Sequence, residues 1–377
     1  MAGSARLTVA GPARYVRRHL VRGTGALPQM TTMENTMRIA LLLCSLLFAV
    51  TGHAKSKLQD DFNYLGPTMQ SMQSPSGRTL AYLDEGDPNW QAVVFVGGSG
   101  TSGRVFALLE FLRETRRNLK LRFISVERNG FGTTAFDDSL AYADYAEDVE
   151  TVLEQLGVRE FGLFAISGGG PYAAVIANRN AGSLTSVHMA SALTWEDPSA
   201  LQCIVPEQAL TIYTKDPVAW WGFTPESPVQ RIPGFPDAAY DDAARTFNMG
   251  GQAGDPAALA HEFGLYCQVQ ALPDLTGVTA PVYLYYGDAD PLTPIDPHAG
   301  RWLAGFSNAE VVARIYPGEG HEAQYRHLDQ ILVDIAGLGD KLVVCKRGAN
   351  KTQLVKQAKA QKILDKGGSL GLCAWQD

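Results

Sequence analysis

The stretch "FAISGGGPYAA", Phe164 to Ala174, decides how this chain reads. A buried-looking apolar run, "FGLFAI", breaks on Ser167, passes through three glycines and resumes as a helical pattern. A serine at that point marks a plain Gly-rich turn, a phosphate-binding loop, or a nucleophile on a tight strand-to-helix elbow. Neither GxGxxG nor GK[ST] accompanies it, which argues against the phosphate loop. Ala165 and Gly169 stand two before and two after the serine. Small residues there suit an elbow, because bulky neighbours collide around a nucleophile held in strained backbone geometry. The helix that follows aims its first N–H groups at the space beside the serine oxygen.

A serine hydroxyl is a weak nucleophile unless a base takes its proton, and the base needs a carboxylate to orient it. Both are found downstream. "YLYYGDADPLTP" places Asp288 and Asp290 just after an apolar strand, and "IYPGEGHEAQ" places His321 just after the next. Ser167 and His321 would then share one sheet edge with the acid, where α/β proteins place their sites. The order along the chain is Ser, Asp, His. The other histidines fall elsewhere: His19 and His53 near the N-terminus, His188 in a strand, His261 in an irregular segment, His298 and His327 on helices. Asp290 is the favoured acid, with Asp288, nearer the strand, expected to shape the turn. For a developing oxyanion, the N–H of Gly168 is one expected donor. The glycine-rich "VVFVGGSGTSG" supplies the second, at Ser99 or alternatively Gly98.

Outward from this site the chain alternates apolar strands with amphipathic helices from about Arg78. The strands are "RTLAYLDEG", "AVVFV", "LRFISVE", "FGLFAI", "LTSVHMASA", "PVYLYYG" and "EVVARIY". "YADYAEDVETVLEQLG" gathers Tyr142, Tyr145, Val149, Val152, Leu153 and Leu156 on one helical face. Further helices are expected around "GGPYAAVIANR", "PHAGRWLAGF" and "AQYRHLDQILVDIAG". This pattern predicts an α/β fold, a mostly parallel central sheet with helices on both faces. It lapses over 194–278, which holds nine of the twenty prolines and Trp195, Trp220 and Trp221. A long aromatic-rich insertion is too apolar for a linker and is expected to form a mainly helical cap.

The 377 residues carry a net charge of −7, which gives no hint of nucleic acid. The charge is uneven: residues 1–54 and 338–377 are each at +5, around an acidic body at −17. "MRIALLLCSLLFAVTGHAKS" sets Arg38 before a twelve-residue apolar run that ends near Gly52 and Ala54. That is the layout of a secretory signal, and it is too short to span a bilayer. Export to the periplasm or medium after cleavage near Ala54 is expected, with translation starting at Met37. No CxxC or Cys/His cluster suggests a metal. Cys203 and Cys267 are either a disulfide or buried thiols. The tail, 338–377, is a basic amphipathic helix or, by preference, a solvated appendage outside the chemistry.

Five motifs in this order resemble the α/β-hydrolase fold superfamily, over about Arg78 to Gly337: "VFVGGSG", "ERNGFGTTAF" (Glu127 to Phe136), "AISGG", "GDAD" and "GEGH". The chain is most similar to capped esterases and proline-iminopeptidase-like hydrolases. It departs from them in having Gly97-Gly98 where His-Gly is frequent, and Ala165 where Gly is. The resemblance implies a cofactor-independent serine hydrolase acting on an ester, amide or related acyl bond of a small, partly apolar molecule. Its catalytic residues would be Ser167, Asp290 and His321, with Gly168 and Ser99 (or Gly98) at the oxyanion. The expected division is core at 55–193 and 279–337, cap at 194–278, and extensions at 1–54 and 338–377. Two other readings are a hydrolase-fold binding protein and a triad enzyme that cleaves carbon–carbon bonds. Aminopeptidase action would further need acids beside the pocket; Glu196, Glu207 and Glu226 are available.

Overall fold

The computed structural model describes residues 68–373, apart from 198, 206–207, 209, 212–214, 216–222, 233–234, 245–256 and 269–270. The signal-like segment lies outside the described residues, as do Glu207, Trp220 and Trp221. The alternation read from the sequence becomes one eight-stranded sheet. Its strands are β1 (Met69–Gln73), β2 (Thr79–Glu85), β3 (Gln91–Val96), β4 (Leu121–Val126), β5 (Phe161–Ile166), β6 (Leu184–Ala190), β7 (Val282–Gly287) and β8 (Val311–Tyr316). They lie in the order 1-2-4-3-5-6-7-8. From β3 to β8 every pairing is parallel, while β1 and β2 add an antiparallel edge. The central strands β4 and β5 are buried along their whole length, because helices cover both faces; their sequences are accordingly near-continuous apolar runs.

The helices between these strands are α1 (Arg113–Asn118), α2 (Tyr142–Gln155) and α3 (Gly170–Arg179) before β6, and α7 (Ile295–Gly305) before β8. The predicted face of α2 is the buried one, with Tyr142 and Tyr145 meeting Tyr172 of α3 edge-on at 4.6 and 5.2 Å. Between β6 and β7 the described residues form α4 (Leu201–Ile204), α5 (Phe235–Ala244) and α6 (Ala257–Gln268), with Cys203 bonded to Cys267. The helix expected over "AQYRHLDQILVDIAG" is two, α8 (Ala323–Arg326) and α9 (Leu328–Ile335). They break at His327, which leaves helical geometry at φ −109°, ψ 22°. Its ring is pinned there, stacked on Tyr316 and bonded through Nε2 to Glu319 at 2.8 Å.

The tail corrects an expectation. Rather than a solvated appendage or an amphipathic helix, its residues form a second sheet of β9 (Lys341–Lys346), β10 (Lys351–Lys356) and β11 (Ser369–Leu370), with α10 (Gln357–Leu364) packed on it. A Cys345–Cys373 disulfide closes the unit. Val343 and Leu372 are buried in the main core, and Gln330 of α9 bonds the backbone of Lys341 and Val343. The physical reason is apolar content: Val344, Val355 and Ala360 bury a small core of their own and Val343 joins the main one, all of which a freely solvated basic tail would leave exposed.

Candidate active site

The parallel strands all end toward one edge of the sheet, and four of the loops leaving that edge carry the predicted residues. β5 delivers Ser167, which opens a single 3-10 turn over Ser167–Gly169 before α3 begins. Its φ of +48° is a left-handed conformation that L-residues avoid, so strain is concentrated at this serine. The elbow closes because its neighbours are small. A Cβ on Gly169 would lie 2.6 Å from the carbonyl oxygens of Val96 and Gly97, closer than backbone atoms can yield.

β7 and β8 supply the other two groups. His321 Nε2 lies 2.9 Å from Ser167 Oγ, and its Nδ1 lies 2.8 Å from Asp290 Oδ2. Asp290 also accepts from the Thr293 hydroxyl at 2.7 Å and the Leu292 N–H at 2.8 Å. Burial opposes its charge, but hydrogen bonding and charge from His321, with Thr293, win; the carboxyl is held well below the usual carboxylate range. An ionised Asp290 can only accept, so Nδ1 carries the imidazole proton and Nε2 is left to accept from the serine O–H. Asp288 is not part of this chain of bonds. It is exposed and accepts from the Gly318 N–H at 2.6 Å, tying together the loops after β7 and β8.

Beside Ser167 opens a cavity of about 220 Å³, lined by Ser99, Phe223, Leu292, His321 and Tyr325 among others. Gly98 and Ser99 reach it from the loop after β3, and a Cβ on Gly98 would come within 3.2 Å of Ser167 Cβ. Gly168 is buried against Ser99, whose backbone nitrogen would be 3.0 Å from a Cβ placed there. All the predicted residues except Asp288 are thus gathered within one small region. Neither Glu196 nor Glu226 lines the cavity. Among the described residues no group of three or more His, Cys, Asp or Glu is placed to hold a metal ion, and no helix is long and apolar enough to cross a membrane.

Sequence reading missed Arg128, Glu262 and Gln324. Arg128, just after β4, donates to the carbonyls of Gly97 and Gly98, both at 2.5 Å, and pairs with Glu262 of α6 at 2.9 Å. Burial works against its charge, but Glu262 outweighs this and raises its pKa further above the ordinary arginine value. "ERNGFG" contained the arginine, but its partner is 134 positions away and nothing local announces it. Gln324 lines the cavity, and its buried amide oxygen has no hydrogen-bond partner.

Residues 93–333 match the family model described as the alpha/beta hydrolase family. Solved structures give the same picture of the fold. An esterase, RhEst1, from Rhodococcus sp. ECU1013 is 17% identical with a TM-score of 0.54, covering 72% of this chain and 99% of its own. A putative aryl esterase from Burkholderia cenocepacia is 15% identical at 0.55, covering 72% and 98%. A bromoperoxidase from Bacillus anthracis is 16% identical at 0.54, covering 72% and 100%. No curated protein matches the sequence. At such identities the structural likeness is a likeness of fold.

Proposed function

Because the chain belongs to the alpha/beta hydrolase family, we propose that its site is that of a serine hydrolase working through an acyl-enzyme. The observation that carries this reading is His321, whose two nitrogens touch Ser167 Oγ and Asp290 Oδ2 at 2.9 and 2.8 Å. As Ser167 Oγ attacks a substrate carbonyl, its proton passes to His321 Nε2, and the Asp290 carboxylate stabilises the imidazolium. The backbone N–H groups of Gly168 and Ser99 would receive the oxyanion. Collapse of the tetrahedral centre expels the alcohol or amine with the proton from His321, leaving an ester on Ser167. Water then repeats the sequence with His321 as base, releasing the acid and restoring the serine.

The cavity supports turnover over binding alone. Its roughly 220 Å³ far exceeds the 10–15 Å³ or so that a single water needs, so a deacylating water has room beside an acyl group. Phe223, Leu292, Ile166 and Tyr325 on its walls favour a partly apolar acyl or alcohol group. Phe223 comes from the 194–278 insertion, which supports reading that insertion as a cap over the core at 55–193 and 279–337. Export fits the signal-like segment before residue 55, and the Cys203–Cys267 and Cys345–Cys373 pairs suit an oxidising compartment.

A fluorophosphonate probe and p-nitrophenyl butyrate test the reading together. The native protein should be labelled and should turn over the ester, and Ser167→Ala should do neither. Equal labelling of Ser167→Ala would remove Ser167 as the nucleophile; tight ligand binding with no turnover would instead support a binding protein.

A further inference from the structure

Arg128 and Glu262 are 3% and 1% exposed, and Arg128 does not line the cavity. Burying an ion pair costs several kcal/mol of desolvation per ion, so its retention calls for a reason beyond filling space. What the pair holds supplies one. The two terminal nitrogens of Arg128 reach consecutive carbonyls, those of Gly97 and Gly98, while its Nε faces Glu262 Oε1 at 2.9 Å. The other oxygen of Glu262 accepts from the Gly100 N–H at 2.6 Å. Three residues of the loop, Gly97, Gly98 and Gly100, are therefore gripped from one side, each through one backbone group.

Peptide planarity turns that grip into a statement about the opposite side. In a trans peptide the C=O and the following N–H point in opposite directions. Fixing the Gly98 carbonyl on Arg128 therefore aims the Ser99 N–H away from it, and fixing Gly97 does the same for the Gly98 N–H. Gly98 and Ser99 line the cavity beside Ser167. Glycines at 97, 98 and 100 leave the backbone soft, so without an anchor these N–H groups would sample many directions. The helix that carries Glu262 also carries Tyr266 one turn later, and the Tyr266 hydroxyl donates to the Gly168 carbonyl at 3.0 Å. One face of α6 thus touches both backbone segments that flank the serine oxygen.

We propose that Arg128 and Glu262 are positioning residues that set the direction of the N–H groups in the loop after β3, and so of the oxyanion donor that this loop supplies at Ser99. This rests on the serine-hydrolase reading of the site. The pair touches no substrate; it acts through the loop. Glu262 links the 194–278 insertion to the site through its own side chain, so a shift of α6 would change the oxyanion donors as well as the cavity wall.

The test compares Glu262→Gln and Arg128→Lys with the native protein on p-nitrophenyl butyrate, with kcat and KM separated and the rate of fluorophosphonate labelling measured in parallel. Losing one oxyanion donor outright costs about 100- to 1,000-fold in kcat, so loosening one should cost about 10- to 100-fold. KM should stay within about threefold, because the neutral ester gains little from these donors in its ground state. Labelling should slow alongside kcat, since it passes through the same developing negative oxygen. Arg128→Lys should not rescue, because an ammonium cannot fork to two carbonyls and a carboxylate. If a lone buried charge prevents folding, the Arg128→Met/Glu262→Leu double variant carries the same readout without one. A folded variant with native kcat, or with only KM raised, overturns the positioning role while leaving the nucleophile intact. Native turnover by Ser167→Ala overturns the underlying reading instead.

Discussion

Two buried imidazoles in this molecule, those of His321 and His188, are held in nearly the same way. His321 has Ser167 Oγ on Nε2 and Asp290 on Nδ1, at 2.9 and 2.8 Å. His188 has Ser186 Oγ on Nε2 and the Tyr285 hydroxyl on Nδ1, at 2.8 and 2.9 Å. Tyr285 spends its own proton on Asp334, so it must accept from Nδ1–H, and His188 Nε2 accepts from the serine just as His321 does. A serine, an imidazole and a carboxylate are therefore aligned twice. The difference is where the carboxylate stands and what it already holds. Asp290 touches its ring directly. Asp334 is one hydroxyl removed and is claimed by Arg314 through two bonds, at 2.6 and 2.7 Å. Burial, with the Arg314 charge added, drives the His188 pKa down to about 3. A ring that refuses a proton near neutrality cannot take one from a serine. The proposed triad is thus set apart by a carboxylate that touches the ring directly and is not claimed by a cation, more than by the sequence of hydrogen bonds.

Removing each ring gives the sharpest contrast. His321→Ala should lower kcat/KM for p-nitrophenyl butyrate by about 10⁴-fold or more, as loss of the base does in serine hydrolases generally. His188→Asn should leave kcat within about threefold in the folded protein. If the two variants lose activity equally, or if His188→Asn loses more, the distinction drawn between the rings fails.

Acid should separate them next. Below pH 6.5 the unfolded chain takes up a proton on residue 188, while the native ring stays neutral until about pH 3. The unfolded state therefore binds more protons in that window, and native stability falls as the pH drops through it. From pH 6.5 to pH 4 the expected loss is about 3 kcal/mol. His298, whose pKa burial and Arg301 lower to about 4, adds a slope of the same sign. Asp290 acts elsewhere. Its folded pKa lies below the ordinary 3.8, so its contribution is present above that value and is lost only as the pH falls further. Urea melts between pH 7 and pH 4 on native protein and His188→Asn should give a visibly flatter slope for the variant. Parallel slopes would mean that this ring is protonated in the fold after all.

The contrast also shows what a sequence can convey. Strands covered on both faces must be apolar throughout, so "AVVFV", "LRFISVE" and "FGLFAI" stand out, and residues that interrupt them at their ends mark the site. His321 and Asp290 are legible because each follows such a run; His188, inside one, reads as packing, and it is. The polar edge strand β1, "MQSMQ", has only two half-buried positions and leaves no apolar run to detect. In the tail, "KLVVCK" and "KTQLVK" are short and lysine-bounded, and their burial comes from pairing with each other, which composition does not state. Cysteine spacing alone likewise permits several pairings of Cys203, Cys267, Cys345 and Cys373. The Arg128–Glu262 grip is invisible for the same reason: it is a contact between distant segments, and one sequence carries no trace of it.

The smallest effect separates the two serines rather than the two rings. Ser186 sits in strand β6, just past a register irregularity in its pairing with β5 but not at positive φ, so glycine there loses conformational entropy and a side chain that bonds His188. Ser186→Gly should therefore cost about 1 kcal/mol. Ser167, at φ +48°, occupies a conformation that glycine adopts freely. Ser167→Gly should stabilise the fold by about 1 kcal/mol while abolishing turnover. The hydrogen bond to His321 is lost as well, but that ring faces the cavity, and water can replace the hydroxyl at Nε2. Strain relief should then outweigh the lost bond. Denaturant melts of the two variants decide the matter: opposite signs support strain held at the proposed nucleophile for the sake of its chemistry, and a loss in both would mean that the elbow at residue 167 is relaxed.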